Sequence, residues 1–235
     1  MPLQHISKEF DKELETIRTN VLELGGLVEG MIKSAVQGLE DSDIPLLKDV
    51  LLREKQVNQM ELDIDDRCNH VIARRQPTAA DLRFVLTCMK MIRDLERIGD
   101  EAEKIARMAL MIHESSAGSF TPRIELSAMY ALVLKMMRQS LDAFARNDSS
   151  TLAEVIREDI SVDDHFRNTL RLLISYMIED TRTISRSIDL LFIAKALERI
   201  GDHSKNMSEH VVYMVKGRDV RHLDVEDVER EVRAD

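Results

Sequence analysis

Leu95-Glu-Arg-Ile-Gly-Asp100 recurs without change as Leu197-Glu-Arg-Ile-Gly-Asp202. A hexapeptide repeated letter for letter within one chain marks a duplicated unit. The correspondence extends outward: Met31-Ile32 matches Met136-Met137, and Val57-Asn58 matches Val162-Asp163, which sets a repeat of about 105 residues. Around each copy the apolar residues recur at intervals of three and four. Ile92, Leu95, Ile98, Ala102, Ile105 and Ala109 form the stripe around the first, the pattern of a helix with one buried face.

Working outward, Phe10, Leu14, Ile17, Val21, Leu24, Val28, Met31 and Ala35 predict a first helix from Leu3 to about Leu39. Asp41-Ser-Asp-Ile-Pro45 breaks it, and Pro45 suits the first turn of a second helix reaching about Arg74. Gln76-Pro77-Thr78 breaks again, and Thr78 with Asp81 forms a capping pattern for a third helix running to about Glu114. Residues 115–122 have linker character, and Thr121-Pro122 predicts the start of a fourth helix. The plan then repeats. The fourth helix reaches about Arg146, a fifth ends near Glu179, and a sixth runs to about Lys216 with Gly217 as terminator. The fold class is therefore all-α: two similar antiparallel three-helix bundles, over residues 1–115 and 120–217, with a charged tail at 218–235. The tail is expected to be a short exposed helix or disordered, and no chemistry is assigned to it.

Composition agrees. Eight Gly and four Pro in 235 residues leave little turn material for an all-β fold. The longest stretch free of Asp, Glu, Lys and Arg, residues 126–134, is far too short for a membrane span. The amino-terminal residues lack a secretory h-region, and Cys68 and Cys88 sit inside helical patterns without a CxxC, as in a reduced cytoplasmic protein. A net charge of −10 argues against sequence-independent nucleic-acid binding and fits a protein that collects cations or docks on basic surfaces.

The repeated hexapeptide is also where chemistry is expected. Glu96 and Asp100 share one helical face, with Glu103 beside them, about 100° from the apolar seam. Gly99 costs its helix about 1 kcal/mol relative to Ala, so a Gly at this place in both copies implies a close approach to the backbone. The preceding helix carries Glu54, Asn58, Glu61 and Asp65 as a stripe, and Asp159 and Asp163 occupy the equivalent places in the second half. These stripes are placed to face the hexapeptides across grooves. Two readings of the oxygen-rich faces stand side by side. One is solvated charge paired with Arg93, Arg97 and Arg199; the other is a site for hard cations such as Mg²⁺, Ca²⁺, Mn²⁺ or Fe³⁺. No Glu-x-x-His pair, nucleophile with a base, or phosphate loop is present, so no catalysis is expected. The histidines His113, His165, His203 and His210 read as surface residues, and Arg74-Arg75 as a helix-end charge pair.

The chain resembles the PhoU family of phosphate-uptake regulators. The resemblance rests on the twin Leu-Glu-Arg-Ile-Gly-Asp segments, Arg74-Arg-Gln-Pro-Thr-Ala-Ala-Asp-Leu-Arg83, Asp142-Ala-Phe-Ala-Arg146 and Glu179-Asp-Thr-Arg-Thr-Ile184, and spans about His5 to Gly217. It implies the same two bundles. It also implies a cytoplasmic negative regulator linking the Pst phosphate ABC transporter to a PhoR-type sensor histidine kinase, often as a homodimer, meeting the membrane only through its partners. It further implies divalent or trivalent metal ions (Mg, Mn, Fe, Ca or Zn) on a Glu/Asp-x-x-x-Asp motif, here Glu96 with Asp100 and Glu198 with Asp202, joined by Glu54, Asn58, Asp159 and Asp163. Asn58 departs from an all-carboxylate set, so the first site is expected to bind less tightly or hold fewer ions. A carboxylate-bridged metal enzyme and a metal-free helical scaffold are the alternatives.

Overall fold

The computed structural model describes residues 8–114, 124–150, 152–221 and 223–233. Its elements are α1 (Lys8–Asp41), α2 (Ile44–Arg75), α3 (Ala79–Glu114), α4 (Ser127–Arg146), α5 (Leu152–Glu179), a 3-10 turn (Thr181–Thr183), α6 (Ile184–Lys216) and α7 (Val225–Arg233). There are no strands among the described residues. The helix boundaries follow local chemistry. Asp43 caps α2, its side chain accepting from the Leu46 N–H at 3.0 Å, and Pro45 lies in the first turn. Gln76 closes α2 in the left-handed region just before Pro77, where a helix cannot continue. Gly217, at φ 73°, closes α6. The expected helix start at Leu3, the linker over residues 115–122 and the Thr121-Pro122 cap lie outside the described residues.

Each set of three helices forms a bundle, α1–α2–α3 and α4–α5–α6, and the two are joined chiefly along α3 and α6, with α1 against α4. One continuous apolar core runs through both. Met136 and Met137 are fully buried in it, as are both cysteines. Burial pushes the Cys68 thiol up to about 12, so it is inert at neutral pH. Gly25 lets α1 close on α4, because an added Cβ would stand 2.7 Å from Leu141 Cδ1. Arg75 binds Glu13 of α1 through two hydrogen bonds of 2.8 and 2.9 Å, more than a helix-end charge pair.

Two expectations need correction. Helix α4 begins at Ser127 rather than near Pro122: Ile124 and Leu126 lie outside the helix and pack against the core instead. The tail is not merely exposed. Val220 and Val228 are buried, α7 lies against α5, and Arg218 pairs with Glu231 at 2.6 Å. Its charged composition hid a narrow apolar stripe.

Candidate functional site

The repeated glycines each face a valine, Gly99 at the closer range. A Cβ on Gly99 would stand 3.2 Å from Val57 Cγ1 of α2, and one on Gly201 would stand 3.4 Å from Val162 Cγ1 of α5. Gly99 therefore lets α2 settle onto α3 more closely than a Cβ would, whereas a Cβ at Gly201 would make ordinary contact with α5. The carboxylates flanking this contact are carried into one field: Glu54 and Glu61 around Val57, Glu96 and Asp100 around Gly99. The second half places Asp159 and Asp163 beside Glu198 and Asp202 in the same way.

In the first groove Glu96 titrates above the usual carboxylate range. Burial is the main cause, Asp100 adds to it, Arg97 opposes it, and Glu61 and Glu54 raise it further. These side chains thus share one field. Arg97 lies 3.3 Å from Glu96 and 3.2 Å from Asp100, while Glu103 turns to Arg107. Asn58 donates to Glu54, and its own Oδ1 is buried without a hydrogen-bond partner. A buried carbonyl oxygen facing no donor is costly, and a cation is one group that offsets the cost. Asp65, at the end of the stripe, accepts from Asn69 at 2.9 Å.

The second carboxylate set is more deeply buried and has its own lysine partners. Asp159 and Glu198 are buried, deeper than a solvent-flanking face predicts. Lys205 reaches Asp159 at 2.8 Å and Lys195 binds Glu198. Asp163 turns outward to Arg167. Asp202 is exposed at the surface, yet the crowding around its inner side raises its carboxyl to about 6. Burial leads, Glu198 and Asp159 follow, Lys195 opposes, and Asp163 adds. Ion pairing thus describes many of these carboxylates as they lie. Among the described residues no three His, Cys, Asp or Glu side chains converge into a ligand shell.

Asp202 yields a pH prediction. Its folded-state pKa lies above the ordinary value, so its contribution to stability is complete below about pH 4 and is lost as pH rises through about 6. Asp202→Asn is expected to stabilise the protein at pH 7.5, by about 1 kcal/mol once partial exposure is discounted. The gain should shrink as pH falls through about 6 and vanish only below about pH 4. Thermal unfolding of both proteins across this range checks it.

A second polar cluster lies between the bundles. Asp94 of α3 is buried and accepts from His203 Nδ1 at 2.9 Å and His210 Nε2 at 3.1 Å, both on α6, with Asn206 Nδ2 at 3.5 Å. Burial works against its charge, and the two imidazole hydrogen bonds overcome that and hold the carboxyl below its usual range. Further along, buried Glu101 pairs with Arg199 at 2.6 Å and Lys104 at 3.4 Å. His203 and His210 are therefore interface residues, not surface ones, and Arg199 serves this interface rather than the hexapeptide carboxylates. Asp94 and Glu101 sit on the edge of the apolar stripe, beside Leu95, Ile98, Ala102 and Ile105. That placement was the available signal for them.

Two segments, residues 21–109 and 126–211, match the family model described as the PhoU domain, one in each bundle. The phosphate-specific transport system accessory protein PhoU homolog of Pseudomonas aeruginosa is 44% identical over 230 residues, covering 97% of this chain and 94% of that protein. The phosphate-specific transport system accessory protein PhoU of Escherichia coli strain K12 is 42% identical over 228 residues, covering 97% and 93%. Among solved structures, PhoU from Pseudomonas aeruginosa superposes with a TM-score of 0.85 at 43% identity, over 89% of this chain and all of that one. The phosphate transport system regulatory protein PhoU from Streptococcus pneumoniae gives a TM-score of 0.80 at 28% identity, over 90% of this chain and 99% of that one.

Proposed function

This chain belongs to the PhoU family, and on that premise we propose that it is an accessory regulator of phosphate-specific transport, working as a non-catalytic adaptor in the cytoplasm. In this reading it restrains phosphate uptake and holds a PhoR-type sensor histidine kinase in its non-activating state when phosphate is plentiful. It docks on the phosphate ABC transporter and the kinase through its helical faces and acts as a homodimer. The relatives that match over nearly the whole chain carry accessory and regulatory names, which supports the transport role. No helix among the described residues is long and apolar enough to cross a membrane, which suits a protein that reaches the bilayer only through partners.

The metal-binding part is supported by the buried Oδ1 of Asn58, which has no hydrogen-bond partner although the same amide donates to Glu54, together with the shared field of Glu54, Glu61, Glu96 and Asp100. An all-oxygen set fits a hard cation. Glu54, Asn58, Glu96 and Asp100 would hold it in the first groove, and Asp159, Asp163, Glu198 and Asp202 in the second. There it would supply positive charge that screens the groove and attracts acidic or phosphate-bearing groups of a partner. Lys195 and Lys205 already provide part of that charge in the second groove.

The regulatory role is tested in cells lacking the chain, with a reporter driven by a phosphate-controlled promoter. Supplying the chain should silence the reporter in phosphate-rich medium. A reporter indifferent to the chain's presence refutes the regulatory reading.

A further inference from the structure

The two hexapeptides are identical, yet the basic groups around them differ. Aligned on the hexapeptides, Lys205 stands where the first half has Glu103, and Lys195 where it has Arg93. Neither counterpart joins the first carboxylate set: Glu103 turns to Arg107, and Arg93 is exposed. The basic group on Glu96 and Asp100 is Arg97, at 3.3 and 3.2 Å, with 55% of its side chain exposed. Pairs of that kind are weak. In the second half Arg199, the repeat of Arg97, is drawn away to Glu101 across the bundle interface at 2.6 Å. Two lysines take its place. Lys195 binds both oxygens of buried Glu198, and its ammonium lies 5.3 Å from the centre of the Phe166 ring. Lys205 donates to buried Asp159 at 2.8 Å, with only 33% of its side chain exposed. Taking an ammonium off a buried carboxylate leaves that charge uncompensated until another cation arrives, which is costly.

We propose that Lys195 and Lys205 are the resident cations of the second groove, so that a metal ion fills the first groove and enters the second only by expelling them. This ranking rests on the metal-binding reading above and orders the two sites within it. Carboxylate count alone ranks them the other way, because Asn58 stands in place of an acid in the first set. The tethered charges reverse that order. The Asn58 Oδ1 without a hydrogen-bond partner lies in the first set, whereas both buried carboxylates of the second already carry an ammonium group. Response to cation concentration is therefore a property of the first bundle, and the second presents a groove partly neutralised in advance.

Counting the Mn²⁺ ions bound per chain by calorimetric titration tests the ranking, with circular dichroism to confirm that each variant is folded. The wild-type chain should bind one ion tightly. Glu96→Gln with Asp100→Asn should abolish that binding, and Glu198→Gln with Asp202→Asn should spare it. Lys195→Gln with Lys205→Gln removes both ammonium groups and leaves amide donors in their place. This lysine variant should bind a second ion at least about tenfold more tightly than the wild-type chain does, and adding Glu198→Gln and Asp202→Asn should remove that ion. Should the lysine variant fail to fold, the two groove variants decide the ranking on their own. Three results overturn the ranking and leave the metal reading standing: two ions of equal affinity in the wild type, a tight ion lost with the second groove rather than the first, or a folded lysine variant that gains no second ion. Absence of Mn²⁺ binding in both the wild type and the lysine variant overturns the metal reading and the ranking with it.

Discussion

Replacing Asp94 with Ala is expected to lower unfolding stability by about 3 kcal/mol, among the largest effects of any polar substitution in this protein. The carboxylate is buried between the two bundles and accepts from His203, His210 and Asn206. Truncation strands three polar groups of α6 against α3, where water has poor access. Asp94→Asn should cost less, about 1–2 kcal/mol, because the amide oxygen still accepts from one imidazole while its NH₂ opposes the other. The pH dependence carries the opposite sign from that of Asp202. Because the Asp94 carboxyl is held below its usual range in the folded state, its contribution is complete above about pH 4 and is lost as pH falls further. Urea unfolding at pH 7 and pH 3.5 checks both points: the gap between wild type and Asp94→Ala should shrink at the lower pH.

The second large effect concerns cations. In a calorimetric titration with Mn²⁺, the wild-type protein should bind stoichiometrically. The quadruple variant Glu96→Gln, Asp100→Asn, Glu198→Gln, Asp202→Asn should lose at least about 100-fold in affinity. Arg97 now neutralises Glu96 and Asp100, but pairs this exposed contribute only about 0.2–1 kcal/mol, so a cation displaces it at little cost. Asn58→Asp adds a carboxylate at the one departure from an acidic set and should tighten the first groove about tenfold. Asp63→Asn, on the exposed side of α2, should change nothing. Saturating cation should also raise the wild-type melting temperature, since binding at about 100 times Kd adds about 2.7 kcal/mol.

The order of the six long helices was legible because period, breakers and repeat agreed. Asp43 and Pro45, Gln76 and Pro77, and Gly217 each stop or start a helix by the chemistry their residue types carry. Gly99 correctly announced a close approach, yet what approaches is Val57 rather than a ligand, whereas Gly201 faces Val162 at ordinary contact distance and its repetition carries no such requirement. Less legible was how the two bundles meet. Helical periodicity says which face of α3 is buried but not what buries it, so Asp94 and Glu101 passed unnoticed and His203 and His210 read as surface residues. Nor does spacing reveal that Lys195 and Lys205 reach into the second groove from α6 itself. The start of α4 was misplaced because Ile124 and Leu126 serve the core equally well outside a helix. The burial of Val220 and Val228 was missed because charged neighbours dominate the tail.

Co-purification of this chain with its cognate phosphate ABC transporter, solubilised in detergent, with and without a chelator, tests the adaptor role most directly. The wild-type chain should be retained with added Mn²⁺. Retention should fall sharply when the cation is removed or when the four hexapeptide carboxylates are neutralised. Retention unaffected by either change would contradict the role given to the acidic grooves, and no retention under any condition would contradict the adaptor itself.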